Sequence, residues 1–141
     1  MKIICILQNA WGDRDLPTVF IPNPHNKSAR TIQKMIGEDN QAFFCNTTNE
    51  MTITAKGKPK PTYEHFEKVI LKLGKFDMIL VCGNQAKETV NRYLDTITAL
   101  NRPMIFVPHP ASRSLSNVQI EIINKTVNEN RKSIGQLDTP A

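Results

Sequence analysis

Polar side chains follow four short apolar runs in this sequence, at the points where the runs end. The runs span 2–7, 42–45, 77–82 and 103–107. Carboxamides, hydroxyls or a histidine follow each run, and no carboxylate stands directly at any of the four ends. The residues at these ends are Gln8, Asn9, Trp11, Asn46, Thr47, Thr48, Gly83, Asn84, Gln85, His109, Ser112, Arg113 and Ser114.

These residue types suit the recognition of a flat polar ring better than they suit metal chemistry. A carboxamide offers a donor and an acceptor side by side, and a neutral histidine can donate a hydrogen bond to a developing negative charge. Trp11 and Phe20 offer flat faces for stacking. The sequence lacks the spacing of a metal site, of a glycine-rich phosphate loop and of a nucleophile elbow. We therefore expect neither a metal nor a cofactor.

The elements that position these residues follow from the alternation of apolar runs with amphipathic helical patterns. Continuous apolar runs are typical of strands buried on both faces of a parallel sheet. Helices are predicted to begin near Asn26 or Ser28, after Thr62, at Asn84 and, with a capping box, at Ser116. The order β-α-β-α-β-α-β-α predicts a three-layer α/β/α fold, in which ligands bind beyond the carboxyl ends of the strands.

Each predicted helix has an apolar face that we expect to be buried. The first two helices are predicted to end at Gly37 and Gly74, and the third to run through Ile97. The apolar faces consist of Ala29, Ile32, Met35 and Ile36; Tyr63, Phe66, Ile70 and Leu73; Ala86, Val90, Tyr93, Leu94 and Ile97; and Val118, Ile122, Ile123 and Val127.

Length and composition predict one soluble domain. The chain has 141 residues, and we assign 1–131 to this domain and 132–141 to a disordered tail. Stretches 10–27 and 46–61 fit no element and are predicted to be functional or disordered loops. The three cysteines are expected to be buried thiols. With no membrane-length apolar run and no signal-peptide pattern, we expect a cytoplasmic protein. The formal charge of +5 slightly favours a polyanionic partner.

Four stretches resemble motifs of the uracil-DNA glycosylase family. Stretch 107–116, VPHPASRSLS, resembles the family's HPSPLS motif. Stretch 7–11, LQNAW, resembles GQDPY, or the GINPG form of the mismatch-specific branch. FFCNT at 43–47 resembles the strand that ends in the base-reading asparagine, and ILVCGNQA at 79–86 resembles the third strand and its turn. The motifs stand in the family's order across about 2–127.

The resemblance implies a four-stranded parallel sheet of order 2-1-3-4 and a monomeric, cofactor-independent DNA glycosylase of base excision repair. Such an enzyme flips the target nucleotide into a pocket and hydrolyses the bond between the sugar and uracil, or a related modified or mismatched base. DNA is the implied partner. The short chain would suit a minimal member of the family, such as a virus-encoded one.

Carried over residue by residue, the resemblance implies two catalytic side chains. Asn9 would orient the attacking water, and His109 would stabilise the leaving base. The main branch of the family has an aspartate where Asn9 stands. Because a carboxamide is not a general base, slow turnover is expected.

The resemblance also implies base-binding and DNA-binding residues. Gln8 would contact the base through its backbone amide, Trp11 would wall the pocket, Phe20 would stack, and Asn46 would read the uracil edge. The residues implied to contact DNA are Ser28, Gly83 and Ser112 at phosphates, and Leu115 or Arg113 as a wedge in the base stack. Leu115 lies six residues after His109, whereas the family leucine lies four after its histidine.

Other interpretations of these residues stay open. His109, Asn46 and Asn9 are each compatible with an ordinary structured turn, and Trp11 with a packing lid. At the level of function, the alternatives to a glycosylase are a weak or inactive relative that binds DNA or a flipped base, and an α/β enzyme that acts on free nucleosides or nucleotides.

Overall fold

The protein is described here by a computed structural model that covers residues 1–8, 10–11, 17–48, 51–52, 63–113 and 115–138, with backbone only for 10–11, 51–52 and 131–138. Six strands and five helices lie within these residues. In chain order they are β1 (Lys2–Leu7), β2 (Ala10–Trp11), α1 (Lys27–Ile36), β3 (Gln41–Asn46), β4 (Met51–Thr52), α2 (Tyr63–Leu73), β5 (Met78–Cys82), α3 (Asn84–Arg92), α4 (Leu94–Thr98), β6 (Met104–Val107) and α5 (Asn117–Asp138).

The main sheet has four parallel strands in the order β3-β1-β5-β6. Counted along the chain, this is the predicted order 2-1-3-4, and the predicted α/β class is confirmed. In the register, Leu7 pairs with Asn46 and Cys82 pairs with Val107, so neighbouring strands end level with each other. The segments that follow all four strands therefore begin at one edge of the sheet.

Alternate residues of the strands pack into two separate core layers, one on each face of the sheet. Ile3, Cys5 and Leu7 of β1 pack with α1 and α5 on one face of the sheet. Ile4 and Ile6 pack with α2, α3 and α4 on the other face. Since both faces are covered, all of β5 and all of β1 after Lys2 consist of buried apolar residues, as the continuous runs predicted.

The three cysteines lie in these core layers as free, buried thiols. Burial raises the pKa of Cys5, Cys45 and Cys82 above the ordinary value for a thiol. All three are therefore protonated near neutral pH, and the predicted burial is confirmed.

The predicted beginnings of the first and last helices are also confirmed. The side chain of Asn26 accepts hydrogen bonds from the backbone N–H groups of Ser28 and Ala29, at 2.9 and 3.2 Å, and so caps α1. Ser116 and Gln119 form the capping box of α5. The Gln119 N–H donates to the Ser116 hydroxyl at 3.2 Å, and the Ser116 N–H donates to the Gln119 side chain at 3.0 Å.

Short strands occur in the two stretches that the sequence left without an element. Strands β2 and β4 pair in parallel through Ala10 with Met51 and Trp11 with Thr52. Phe20 forms an antiparallel bridge to Phe44 on the outer edge of β3. Paired segments of one or two residues are too short to carry a hydrophobic period, which is why sequence patterning does not reveal them.

The prediction of one continuous third helix is wrong, because the helix breaks at Tyr93. This residue has φ −115° and ψ 24°, and α3 ends before it while α4 begins after it. The Tyr93 ring lies 5.6 Å from that of Phe66 on α2, and Ile97 on α4 is buried in the same core layer. The break therefore lies where the Tyr93 ring packs on α2, beside the core layer that contains Ile97.

The predicted buried face of the last helix is only half right. Ile123 and Val127 are buried, but Val118 is 64% exposed and Ile122 is 60% exposed. Asn124 donates hydrogen bonds to the backbone carbonyls of Lys34 and Met35 at the end of α1, both at 3.3 Å. This polar contact helps to set the rotation of α5, and on a helix so rotated residues 118 and 122 face away from the sheet.

Helix α5 also continues to Asp138, seven residues into the stretch that the sequence predicts to be a disordered tail. No proline interrupts the chain between Pro110 and Pro140, so nothing in that interval forces the helix to end earlier. Although α5 is the longest helix, neither it nor any other helix in the described ranges is apolar enough over a sufficient length to cross a membrane.

Adjacent isoleucines on α5 provide a matched test of this rotation. We expect Ile123→Ala to lower the free energy of unfolding by about 2–4 kcal/mol, because it leaves a cavity in the core. Ile122→Ala should change it by less than about 0.5 kcal/mol, because that side chain is exposed. Urea denaturation of the two variants measures both values, and equal losses would contradict the observed rotation.

Candidate functional site

Backbone pairing between β1 and β3 continues past the ends of both strands. The Thr47 N–H donates to the Leu7 carbonyl at 3.1 Å, and the Thr48 N–H donates to the Gln8 carbonyl at 3.2 Å. Thr47 and Thr48 are fully buried, although both are polar. The two strand ends are thus held together beyond the point where regular strand structure stops.

A side-chain contact joins a third segment to this pair. The Thr47 hydroxyl oxygen lies 2.9 Å from the Gln8 carbonyl and 2.8 Å from Oε1 of Gln85, which lies in the first turn of α3. One hydroxyl proton cannot serve two acceptors at once. A Gln85 carboxamide rotated by half a turn resolves this, since its NH₂ then donates to Thr47 while Thr47 donates to Gln8.

Asn46, the last residue of β3, carries a carboxamide that is free to meet a ligand. The residue is only 7% exposed, and no described residue hydrogen-bonds to its side chain. Every fully buried polar side-chain atom in the described part of the chain has a partner. The unpaired carboxamide therefore lies where solvent or a ligand can reach it, at the open edge of the sheet.

His65 on α2 contacts the end of β3 at Asn46. Helix α2 packs on the face of the sheet opposite to α1 and α5. Burial lowers the pKa of His65, and a hydrogen bond to the backbone of Asn46 acts against that shift. The backbone of Asn46 is therefore supported by the pairing with β1 and by this imidazole.

His109 is held in one orientation by the turn that follows β6. Its Nδ1 accepts a hydrogen bond from the Ala111 N–H at 3.0 Å, and its carbonyl accepts one from the Ser112 N–H at 2.9 Å. Burial lowers the pKa of His109, so the imidazole is neutral at pH 7. With Nδ1 acting as acceptor, the single ring proton resides on Nε2, which is then available as a donor.

Gly83 allows His109 to lie over the end of the neighbouring strand. A Cβ atom added at Gly83 would lie 3.1 Å from Cβ of His109, and Gly83 has a φ of 90° and a ψ of 170°, a region that side-chain-bearing residues rarely adopt. The Gly83 N–H also donates to the Val107 carbonyl at 2.9 Å. The histidine is thereby brought from the outer strand β6 towards the centre of the sheet.

The remaining base-contacting candidates are placed less completely. Asn9 lies outside the described residues, and for Trp11 only the backbone, in β2, is described. Gln8 is half-buried, and its carbonyl accepts the hydrogen bonds from Thr47 and Thr48. Phe20 is half-buried beside β3, with its ring edge-on to Phe44 at 6.0 Å and 77°.

The candidate DNA-contacting residues divide into two groups. Ser28 lies in the first turn of α1, where its N–H is occupied by the Asn26 cap, and Ser112 lies in the turn after His109. Arg113 is exposed and can reach a polyanion. Leu115 instead packs partly against the core layer of α1 and α5, so it does not project freely as a wedge would.

Sequence reasoning identified Gln8, Asn46, Gly83 and His109, and the fold brings these residues to one edge of the sheet. It assigned no role to Thr47, Gln85 or His65. Thr47 and Gln85 stand at strand ends, but no periodic pattern indicates which hydroxyl meets which carboxamide. His65 lies on a helix next to the buried Phe66, and nothing in its spacing distinguishes it from a packing histidine.

Similarity to known proteins adds nothing to this geometry. No protein-family model matches the chain, and no curated protein or solved structure matches it. Within the described residues, no three His, Cys, Asp or Glu side chains are grouped so that they could hold a metal ion. The function is therefore argued from the strand-end residues themselves.

Replacement of Gly83 should disturb the site through His109. We expect Gly83→Ala to lower the free energy of unfolding by about 1–3 kcal/mol, because alanine does not tolerate the observed φ and ψ and its methyl group would crowd His109. Gly74→Ala is the matched control, since an added Cβ there makes only an ordinary contact with Leu100 at 3.5 Å. Chemical denaturation measures both, and a loss at Gly83 no larger than at Gly74 would contradict the packing described.

Stability should depend on pH through the half-buried His109. The folded-state pKa of His109 lies below its ordinary value of 6.5, so its contribution to stability is complete above that pH. It is lost as the pH falls from 6.5 through the lowered pKa, because the unfolded chain binds the proton first. We expect His109→Gln to reduce the difference between the urea midpoints at pH 7 and pH 5. An unchanged difference would show that His109 is not shielded from solvent.

Proposed function

We propose that this chain is a DNA glycosylase of the uracil-DNA glycosylase type, which removes uracil or a related modified or mismatched base after flipping it out of the DNA. The observation that carries the proposal is the placement of an unpaired carboxamide, Asn46, and a neutral imidazole, His109, at the same edge of one parallel sheet. The order of the strand-end motifs supports the family assignment.

The spacing of the two groups suits a flat ring between them. Strands β3 and β6 are the outer strands of the sheet, so their ends lie about 14 Å apart, or three strand spacings. His109 leans over the end of β5 beside Gly83, which shortens that gap. If the two side chains extend towards each other across this gap, a pyrimidine would fit between them, and they would bind its opposite edges.

The hydrogen-bonding capacity of each group matches one edge of uracil. The Asn46 carboxamide can accept from the ring N3–H and donate to O4. On the other edge, Nε2–H of His109 can donate to O2. Uracil would thus pair with a carboxamide that has no partner among the described residues and that otherwise meets solvent at the open edge of the sheet.

The same contacts favour bond cleavage. When the bond between C1′ and N1 breaks, its electron pair goes to the base, and the negative charge spreads over N1 and O2. A neutral donor aimed at O2 stabilises this charge more in the transition state than in the ground state, which is the requirement for catalysis. Water then adds to C1′ of the sugar cation, and the proton that it releases neutralises the departing base.

Binding to DNA requires positive charge and donors near this edge, and the sequence has both. The formal charge is +5, and Arg113 is exposed four residues after His109. Because crossover helices run antiparallel to the strands, α1 also begins at this edge, and the positive end of its dipole favours a phosphate there.

A second candidate function, DNA or base binding without catalysis, is favoured by one observation. Asn9 stands where the main branch of the family has a water-activating aspartate. A protein that retained Asn46 and His109 but could not activate water would bind a flipped base and release it unchanged. An enzyme of free nucleosides would use the same edge without needing Arg113.

An excision assay on labelled oligonucleotides tests the proposal. Substrates with U:G, U:A, single-stranded U and T:G, and with modified pyrimidines, should reveal at least one base that is released to leave an alkali-labile site. We expect His109→Ala to reduce the single-turnover rate by about 10²–10³-fold, the usual loss for one donor to a developing anion. Asn46→Ala should reduce it by at least about 10-fold through lost base contacts.

Asn128→Ala is the control for these substitutions, because the hydrogen bond that the Asn128 side chain makes among the described residues lies within α5, to Asn124 at 3.0 Å. It should excise at the rate of the unsubstituted protein. Tight DNA binding without excision of any base would overturn the enzyme proposal in favour of the binding function. Stabilisation by free nucleosides without DNA binding would favour the third interpretation.

A single isosteric substitution tests the role of Asn9. If Asn9 stands beside the attacking water, Asn9→Asp supplies a carboxylate that can take its proton, and the single-turnover rate should rise by about 10²–10⁴-fold. The increase should require the ionised carboxylate and so disappear at acidic pH. An unchanged or lower rate, with DNA affinity retained, would remove Asn9 from the reacting centre.

A further inference from the structure

We propose that Thr47 and Gln85 form a clamp that positions Asn46, and that this clamp rather than Asn46 alone determines how well the site holds a base. The first part of the proposal concerns only the protein. The consequence for base binding rests on the proposed function. Thr47 and Gln85 are therefore positioning residues that act through Asn46.

The clamp adds a side-chain link between three segments whose strands are already neighbours in the sheet. The hydroxyl of Thr47 contacts the Gln8 carbonyl after β1 at 2.9 Å and the Gln85 side chain at the start of α3 at 2.8 Å. Thr47 itself follows β3. Since β1 lies between β3 and β5, the hydroxyl spans the ends of three neighbouring strands with a single oxygen atom.

The burial of Thr47 makes this contact costly to lose. Its exposed fraction is 0%, so no solvent can replace a partner of its hydroxyl. Removal of the hydroxyl would leave the Gln85 side chain without this partner and would deprive the Gln8 carbonyl of one of its two donors, Thr47 and Thr48. Gln8 and Gln85 are half-buried, so solvent only partly replaces the partner that they would lose, which makes Thr47 a fixed point of the edge.

Asn46 depends on this fixed point because its own side chain has no anchor among the described residues. What determines the position of the carboxamide is the backbone on both sides of Cα. On one side, β3 is paired with β1, and on the other side stands Thr47. If the clamp opens, the backbone after Asn46 loses one of its contacts with the segment after β1, while the N–H groups of Thr47 and Thr48 still donate to that segment.

Small displacements at this point should affect base binding strongly. Hydrogen bonds weaken steeply with distance and angle, and a misplacement of about 1 Å can cost up to about 100-fold in rate. The clamp also holds Gln8, whose backbone is the second group expected to contact the base. The Asn46 carboxamide and the Gln8 backbone therefore keep a fixed relative position when the clamp is intact. When it is open, each group can shift without the other.

The first experiment measures the order of the Asn46 side chain, and it does not require any activity. ¹⁵N relaxation of the Asn46 carboxamide, identified by its loss in Asn46→Ala, gives an order parameter for that group. Thr47→Val and Gln85→Met should each lower the order parameter, and Thr47→Ser, which keeps the hydroxyl, should restore it. An order parameter that is the same in all four proteins would overturn the clamp.

Thr89→Val is the matched control. Thr89 is also a buried threonine, and its hydroxyl bonds to the Gln85 carbonyl at 2.8 Å. That carbonyl keeps its ordinary helix hydrogen bond when the hydroxyl is removed. Thr89→Val therefore removes a buried hydroxyl from the same neighbourhood without opening the clamp, and the order of the Asn46 side chain should be unchanged.

The second experiment tests whether Thr47 acts through Asn46. In the otherwise unsubstituted protein, Thr47→Val should reduce kcat/KM for the excised base by about 10-fold, mostly through KM. In the Asn46→Ala background, the same substitution should have no further effect, because the group it positions is gone. An equal loss in both backgrounds would mean that Thr47 only stabilises the fold, and would overturn the proposal.

The two experiments separate failure of the clamp from failure of the proposed function. If the unsubstituted protein excises no base, the glycosylase proposal fails, and the order parameters alone decide on the clamp. If it excises a base but Thr47→Val has the activity and the Asn46 order of the unsubstituted protein, the glycosylase proposal stands and the clamp is wrong.

Discussion

The backbone groups at the carboxyl ends of parallel strands lose their ladder partners together, at one edge of the sheet. In this protein the buried positions just beyond those ends have to find other partners, and the surrounding structure depends on how they do so. The Thr47 hydroxyl and amide, the Thr48 amide and the Gly83 amide each supply a bond across the edge. The segments between them are consequently fixed closely enough to present side chains to a ligand.

The chemistry of the edge follows from this arrangement because it separates two kinds of polar group. Some groups, such as the Thr47 hydroxyl and Nδ1 of His109, are satisfied within the protein and serve to orient their neighbours. Others, the Asn46 carboxamide and Nε2–H of His109, are oriented and left available. Burial keeps the His109 imidazole neutral, so it offers a hydrogen-bond donor without bringing a net positive charge to this edge of the sheet.

Much of the fold could be predicted because its signals are local and redundant. Both faces of the sheet are covered, so the strands read as continuous apolar runs, and Asn26 and Ser116 mark helix starts with side chains that bond within three residues. The errors arose where a distant contact decided the outcome. Tyr93, at the break between α3 and α4, packs against Phe66 on α2, and the rotation of α5, held by Asn124 at the end of α1, turns Ile122 to solvent. Neither contact can be recognised from the spacing of apolar residues in the local sequence.

The residues of the candidate site likewise divide into those that local sequence reveals and those that only a distant contact places. Asn46, Gly83 and His109 could be singled out because each directly follows an apolar run, and position relative to a strand end is visible in sequence. The partners that orient them could not, since the pairing of Thr47 with Gln85 joins residues 38 positions apart and that of His65 with Asn46 joins a helix to the end of a strand. Sequence therefore predicts which residues face a ligand more readily than which residues hold them in place.

The central claim is that Asn46 and His109 bind opposite edges of one flipped base. It is tested most directly by NMR titration with an oligonucleotide that contains 2′-fluoro-2′-deoxyuridine, whose electron-withdrawing fluorine slows bond cleavage and preserves the complex. The account predicts that the Asn46 carboxamide and the His109 ring N–H both shift on binding. The same oligonucleotide with an abasic site in place of the uracil should leave them unshifted. Shifts of equal size with both oligonucleotides, or binding that moves neither group, would contradict it.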